Sequence, residues 1–365
     1  MRRHDIYNKV RAGLLLLMGS LLYGCTSDNE GQDEQDDTLQ LVAYTRSYDD
    51  ITRAVPDGYS SFTPDGVTSI GIFMTTSPTG LPDRVGYFSY NGHEWRSNIS
   101  VKSGTTYYIY GFMPGDIISA EPTTAISPLN SDFKNGATLT LDGLKPISKT
   151  DVCVIVGVGV KGVSPSTEND VSLGKFEYAS QAKGQNYVNL LMDHIYSCLQ
   201  FRMQVEDSYS VLRTIKLKKM ELRTAKISAT KAVITLTANT TNPLGNNISW
   251  STPTASTGMS ITLFESEEGK EKALPSVAAA TPLLLSGNIM PGCDDALSLV
   301  CIYDVYDRKG NLVRKDCEAT NTLPKSLGIS SLKAGERQPI ELTVAPTYLG
   351  VLSDPDLNNP DITFN

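Results

Sequence analysis

The chain has little of what catalysis and metal binding usually draw on. Its 365 residues include three histidines and two tryptophans. His4 lies near the start, His93 sits in a turn pattern (NGHEW), and His194 stands at the entry to an apolar strand pattern, where it reads as a hydrogen-bonded structural histidine. There is no H-E-x-x-H and no C-x-x-C pair to suggest zinc. A G-x-S-x-G elbow, a Walker loop and a dinucleotide fingerprint are equally missing. No catalytic residue, metal or cofactor is therefore expected, and the chain reads as a non-enzyme. Long helical runs of Ala, Leu, Glu and Lys are also lacking, whereas Gly, Ser, Thr, Tyr and Val are plentiful, which predicts an all-β chain. Excess positive charge is absent too: the net charge is −8, which argues against nucleic acid as a partner.

What is present begins at the N-terminus. Arg2, Arg3, Lys9 and Arg11 precede an apolar run from Ala12 to Tyr23. A positive start followed by about a dozen apolar residues is a secretory signal, too short for a stable bilayer span. The run closes with Leu22-Tyr23-Gly24-Cys25, which resembles the lipobox cut by lipoprotein signal peptidase. The expected signal peptide is residues 1–24, cut between Gly24 and Cys25, with Cys25 lipidated (palmitate among its acyl chains). Residues 25–37 form an acidic tether, TSDNEGQDEQDD after the cysteine, which has no apolar side chain to bury and is expected to be disordered. Acidic residues at this place resemble a surface-export signal of Bacteroides-group lipoproteins, implying an outward-facing outer-membrane lipoprotein. Without residues 1–24 the chain keeps 28 basic and 39 acidic residues, a net charge of −11.

Five further cysteines, at 153, 198, 293, 301 and 317, are an odd number and make no complete disulfide framework. Cys153 and Cys198 lie in apolar strand patterns and read as core thiols. SLVCIYDVY, DRKGN and LVRKDCEA read as a hairpin, and setting Val305 opposite Val313 places Cys301 opposite Cys317, a candidate disulfide.

Strand-like runs recur at Thr38–Tyr44, Thr68–Thr75, Val85–Tyr90, Thr105–Met113, Thr138–Leu141 and Asp151–Val160, separated by turn signals such as SPTGLPD and KSGT. This is the spacing of a sandwich of short antiparallel strands. Residues 161–186 are polar and read as a connection, after which a second series opens with VNLLMDHIYSCLQFRMQV and ends with ERQPIELTVA. The division expected is an N-terminal β domain at 38–180, a C-terminal one at 181–345, and a tail at 346–365. Short helical pieces are expected near Asp193–Cys198 or around Pro324–Leu332. Tyr108 and Tyr110 should share a strand face, packed under a sheet. Asp354, Asp356 and Asp361 in DPDLNNPD lack EF-hand spacing and read as a solvated tail.

The accumulated order of segments resembles the fimbrillins, the FimA/Mfa-like pilin subunits of Bacteroides-type bacteria. The likeness runs from lipobox and tether through T-R-A-V, Y-Y-I-Y-G-F-M-P, L-T-L-D-G-L, D-V-C-V-I-V-G-V-G and M-D-H-I-Y-S-C-L-Q-F-R-M-Q-V to P-I-E-L-T-V-A-P-T-Y-L. It implies two tandem transthyretin-like antiparallel β-sandwich domains and assembly with other pilin subunits into a surface fimbria, as shaft, tip or anchor, in support of adhesion. It also implies cleavage by a trypsin-like protease after an arginine in the first strand region, here Arg46 or Arg53, with Arg53 preferred because T-R-A-V recurs in the family. The cut would free the lipid and the first strand and open a groove for a neighbour's strand. The tail at 346–365 is the possible donor; packed on its own domain, it would instead suggest a tip or accessory subunit. A surface glycan-binding lipoprotein is the alternative, and it requires Trp95 and Trp250 to be exposed.

Overall fold

The computed structural model describes residues 37–46, 59–61, 64, 66–82, 84–117, 125–160, 170–252, 257–279, 281–348 and 355–364. The expected signal peptide, Gly24, Cys25, nearly all of the expected tether, and Arg53 fall outside them. The chain is all-β: strands dominate, and among the described residues helix is limited to one turn at Asp207–Ser210, a single helical residue at Ala125 and short 3-10 turns. Among the latter, Lys325–Leu327 and Ile329–Ser331 fall where the Pro324–Leu332 segment predicted helical pieces. The other candidate, Asp193–Cys198, is instead a corner between two strands.

The largest sheet runs, from one edge to the other, through the strands Tyr59–Ser61, Gln40–Arg46, Tyr187–His194, Cys153–Val160, Thr106–Met113, Thr68–Thr75, Arg84–Tyr90 and Trp95–Ser97. Its side chains alternate cleanly. Tyr107, Ile109, Cys153, Ile155, Leu190 and Met192 bury on one face, and Tyr108, Tyr110, Phe112, Val154, Val156 and Leu191 on the other. This is the period-two pattern of a strand buried on both sides. The second face packs on a four-stranded sheet that includes Gly136–Leu144 and Thr230–Thr237. Tyr110 anchors that contact, its ring 5.4 Å from Phe133 and 4.5 Å from Phe176, with its hydroxyl donating to the Phe133 carbonyl. Gly111, within the Y-Y-I-Y-G-F-M-P run, has to be glycine, because a Cβ there would stand 2.1 Å from the Gly71 carbonyl oxygen.

Two more sheets form the second sandwich. One orders Ile147–Ser148, Leu283–Ile289, Ser197–Val205, Arg337–Tyr348 and Pro355–Phe364; the other orders Ser260–Glu265, Thr214–Thr224, Leu297–Tyr306 and Leu312–Thr322. Gly287 lets them approach, since a Cβ there would meet Leu263 at 2.8 Å. One continuous buried cluster links both sandwiches. Two strand pairings among the described residues depart from the expected antiparallel pattern: Gln40–Arg46 with Tyr187–His194, and Ser197–Val205 with Arg337–Tyr348, are parallel.

The division expected at 180/181 does not follow the sheets. The polar stretch itself contributes strands at Asp170–Leu173 and Glu177–Ala179, and Tyr187–His194 completes the large sheet. Thr230–Thr237 returns to pair with Gly136–Leu144. The run from Val188 to Val205 reads as one apolar strand because it is buried throughout, yet it breaks at Ile195-Tyr196, where the chain passes from one sheet to another.

The candidate disulfide is also corrected. Tyr306 pairs Leu312, as the expected hairpin register requires. Two register shifts then follow, so that Val305 meets Arg314, Tyr303 meets Cys317 and Cys301 meets Ala319. Asp316, at φ 53°, sits in this irregular stretch, and its amide donates to Asp304 at 2.7 Å. Bulges insert residues in one strand only, so they slip partners without turning the buried face outward. Both thiols are buried and free. Accordingly, air-oxidised protein digested under non-reducing conditions should yield no Cys301–Cys317 cross-linked peptide by mass spectrometry; recovery of one in high yield would contradict this register.

Candidate functional site

The functional residues converge where the first long strand, Gln40–Arg46, ends. Six registered pairs, Gln40↔Tyr187 through Thr45↔Met192, hold this leading strand against its parallel neighbour, and among the described residues the three-residue strand Tyr59–Ser61 covers its other side. Alternation along Tyr187–His194 then sends Asp193 and His194 to opposite faces. Each meets a different part of Arg46.

Asp193 meets the side chain. The Arg46 guanidinium lies 3.3 Å from the Asp193 carboxylate, donates to the Tyr59 hydroxyl at 3.0 Å and stacks over the Tyr59 ring at 5.1 Å. The Tyr59 hydroxyl in turn donates to the same Asp193 oxygen. Asp193 is only 5% exposed. Burial pushes its carboxyl above the usual range, and the Arg46 cation, the Tyr59 hydroxyl and His194 oppose that rise. A buried carboxylate of this kind is tolerable only while its cation stays in place.

His194 meets the main chain. Its Nε2 contacts the Arg46 carbonyl at 2.6 Å and its Nδ1 contacts Asp151. A carbonyl and a carboxylate both accept, so both ring nitrogens donate and the imidazole is charged. Burial works against that charge, but the Cys153 sulfur and the Asp151 carboxylate outweigh it, and the imidazole is pushed up to about 12. Cys153, the cross-strand partner of His194, brings its sulfur to 3.4 Å from Nδ1. Burial pushes this thiol up to about 11. Asp151, Cys153 and His194 thus form a compact N, S and O donor set.

Of the residues singled out in the sequence, Arg46 lies in this clasp, and His194 is hydrogen-bonded as anticipated. Asp151, Tyr59 and Asp193 went unnoticed. They come from distant parts of the chain, and no spacing rule connects residues 46, 59, 151 and 193. His93 is exposed in a turn whose amides at His93 and Glu94 both donate to Asn91. The tyrosine cluster is no sugar platform, because Tyr107, Tyr108 and Tyr110 are 1–5% exposed. Trp95 and Trp250 are half-buried at separate places, packed on Tyr90 at 5.3 Å and on Tyr196 at 5.7 Å, so they form no exposed pair. The tail residues Pro355–Phe364 form an edge strand on Arg337–Tyr348 rather than a loop of oxygen ligands.

No family model matches the chain, and no curated protein does. Solved structures with a similar chain path include a candidate cell adhesion protein from Bacteroides fragilis, at 10% identity and a TM-score of 0.44, covering 90% of this chain and 97% of that one. A fimbrial protein from Bacteroides vulgatus is 14% identical with a TM-score of 0.37, over 91% and 98% of the two chains. The fimbrial anchor protein Mfa2 from Porphyromonas gingivalis is 8% identical with a TM-score of 0.33, over 91% and 98%. Among the described residues no helix is long and apolar enough to cross a membrane.

Proposed function

We propose that this chain is a structural, non-enzymatic subunit of a cell-surface fimbria, exported as a lipoprotein on Cys25 and assembled with other pilin subunits by exchange of its leading strand, in support of adhesion. The observation that carries the reading is the leading strand itself. It is short, parallel to its neighbour, nearly at the sheet edge, and directly preceded by the tether. Beside it, in register with Leu41, Ala43 and Thr45, stand Val188, Leu190 and Met192, each 0% exposed, so its departure leaves their strand with an unpaired backbone edge next to buried apolar side chains. Such an edge recruits another strand by main-chain hydrogen bonding, with alternate side chains setting the register.

The processing cut is assigned to Arg53. Arg46 is a poorer choice, since a trypsin-like protease must draw an arginine side chain into its own acidic pocket and the Arg46 guanidinium is engaged by Asp193 and Tyr59. The cut alone would not release the strand, which the clasp continues to hold. Because the tail strand packs on its own sheet, a tip or accessory place in the fimbria is favoured over a shaft subunit that donates its tail.

Limited trypsin digestion of the purified mature chain, read by mass spectrometry and electron microscopy, tests this. The expected result is early cleavage after Arg53 with Arg46 spared, followed by self-association or acceptance of a partner subunit's strand. Cleavage elsewhere, with a product that stays monomeric and binds no other subunit, would remove the strand-exchange reading.

A further inference from the structure

We infer that Asp151, Cys153 and His194 form a zinc-binding site, with the carbonyl of Arg46 as its outer hydrogen-bond partner. The inference goes beyond the fimbrial reading and stands without it.

The donor set is the first reason. An imidazole nitrogen, a thiolate and a carboxylate are the ligand types that zinc combines, in a four-coordinate site that leaves one position open. Geometry is the second. Around tetrahedral zinc, sulfur lies roughly 3.5 Å from a nitrogen or oxygen ligand. Here the Cys153 sulfur is 3.4 Å from His194 Nδ1 and 3.8 Å from the Asp151 carboxylate oxygen. Only the Nδ1–Oδ2 hydrogen bond has to open, to about 3.3 Å. Asp151 lies two residues before its strand, at the sheet's end, whereas Cys153 and His194 are fixed by cross-strand pairing. The adjustment therefore falls on the residue with the most freedom.

Two further features point to a cation. The second carboxylate oxygen of Asp151, Oδ1, is buried without a hydrogen-bond partner among the described residues. An acceptor so placed is costly unless something positive reaches it. The other ring nitrogen of His194 donates to the Arg46 carbonyl at 2.6 Å. That is the arrangement by which ligating histidines are oriented, one nitrogen on the metal and the other on a backbone carbonyl or carboxylate.

Since His194 keeps its bond to Arg46 with the ion or without it, the ion would stiffen the support under the end of the leading strand.

Cobalt(II) titration of the full mature chain tests the inference, since thiolate-to-cobalt charge transfer gives a near-ultraviolet band. One such band is expected, saturating at one ion per chain, retained in Cys301→Ala and lost in Cys153→Ala and in Cys153→Ser. Zinc should displace the cobalt. His194→Gln should weaken zinc by at least about tenfold. Near-ultraviolet circular dichroism establishes that each variant is folded, and the paired Ala and Ser variants at position 153 guard against a packing artefact. Absence of the band in folded wild-type protein overturns the site, as does a band that survives loss of Cys153.

Discussion

Replacing Arg46 with alanine should free the leading strand while leaving most of the molecule folded. The substitution leaves Asp193, 5% exposed, without its cation. Breaking a buried ion pair from one side costs about 3–5 kcal/mol. The lower end of that range applies, because Tyr59 still donates to Asp193 and the carboxyl, already raised by burial, can take up a proton. The cheapest response is local, since the strand lies next to the sheet edge and can lift away. About 3 kcal/mol corresponds to on the order of 100-fold faster hydrogen exchange for the strand's amides. Exchange mass spectrometry should find that acceleration in peptides covering residues 40–45 and not in those covering Thr106–Met113. Arg46→Lys should fall between, since a single ammonium cannot satisfy Asp193 and Tyr59 in the same geometry. Combining Arg46→Ala with Asp193→Asn should cost less than the two changes added, because the stranded charge is gone. Equal exchange in wild type and Arg46→Ala would mean that the clasp contributes nothing to strand retention. The same logic constrains any strand that replaces the leading one in an assembly: opposite Asp193 it has to bring a positive side chain.

The second large effect is expected at the other end of the chain. Ile362 is 3% exposed in the tail strand, opposite Val344, which is 1% exposed. The tail is also tied to the facing sheet, where the Tyr303 hydroxyl donates to the Pro360 carbonyl at 3.0 Å and the Asn321 amide to the Ile362 carbonyl at 2.9 Å. Ile362→Asp puts an unpaired carboxylate into that seam and should cost about 3 kcal/mol or more. The tail should detach, exposing the edge of Arg337–Tyr348 and promoting association of copies through it. Thermal melts and light scattering at matched concentration measure both. A variant that melts like wild type and stays monomeric would mean the tail contributes no stability. The control Thr363→Asp, at an exposed position of the same strand, should change little.

Much of the fold was legible because buried strands announce themselves by composition and period. Thr68–Thr75 coincides with its predicted range, and Thr106–Met113 and Cys153–Val160 begin within two residues of theirs. The opposite facing of Tyr107 and Tyr108 followed from alternation alone. Partners were not legible in the same way. Nothing local says that Gly136–Leu144 waits for Thr230–Thr237, or that an unbroken apolar run turns a corner at Ile195-Tyr196 to serve two sheets. The Cys301 hairpin shows the limit at short range as well, since its first pair was predictable and the shifts beyond it were not.

The sequence by itself determined an all-β chain, the alternation that buries each strand, and the scarcity of histidine and tryptophan. Those properties reside in single residues and near neighbours. Only the tertiary structure decided that Arg46 would be a clasp, because its partners Tyr59, Asp193 and His194 arrive from two other segments. It also decided that Asp151, Cys153 and His194 would share one small volume. Charge, donor geometry and burial depend on distances in space, and strand pairing sets those distances after the local pattern has been used up.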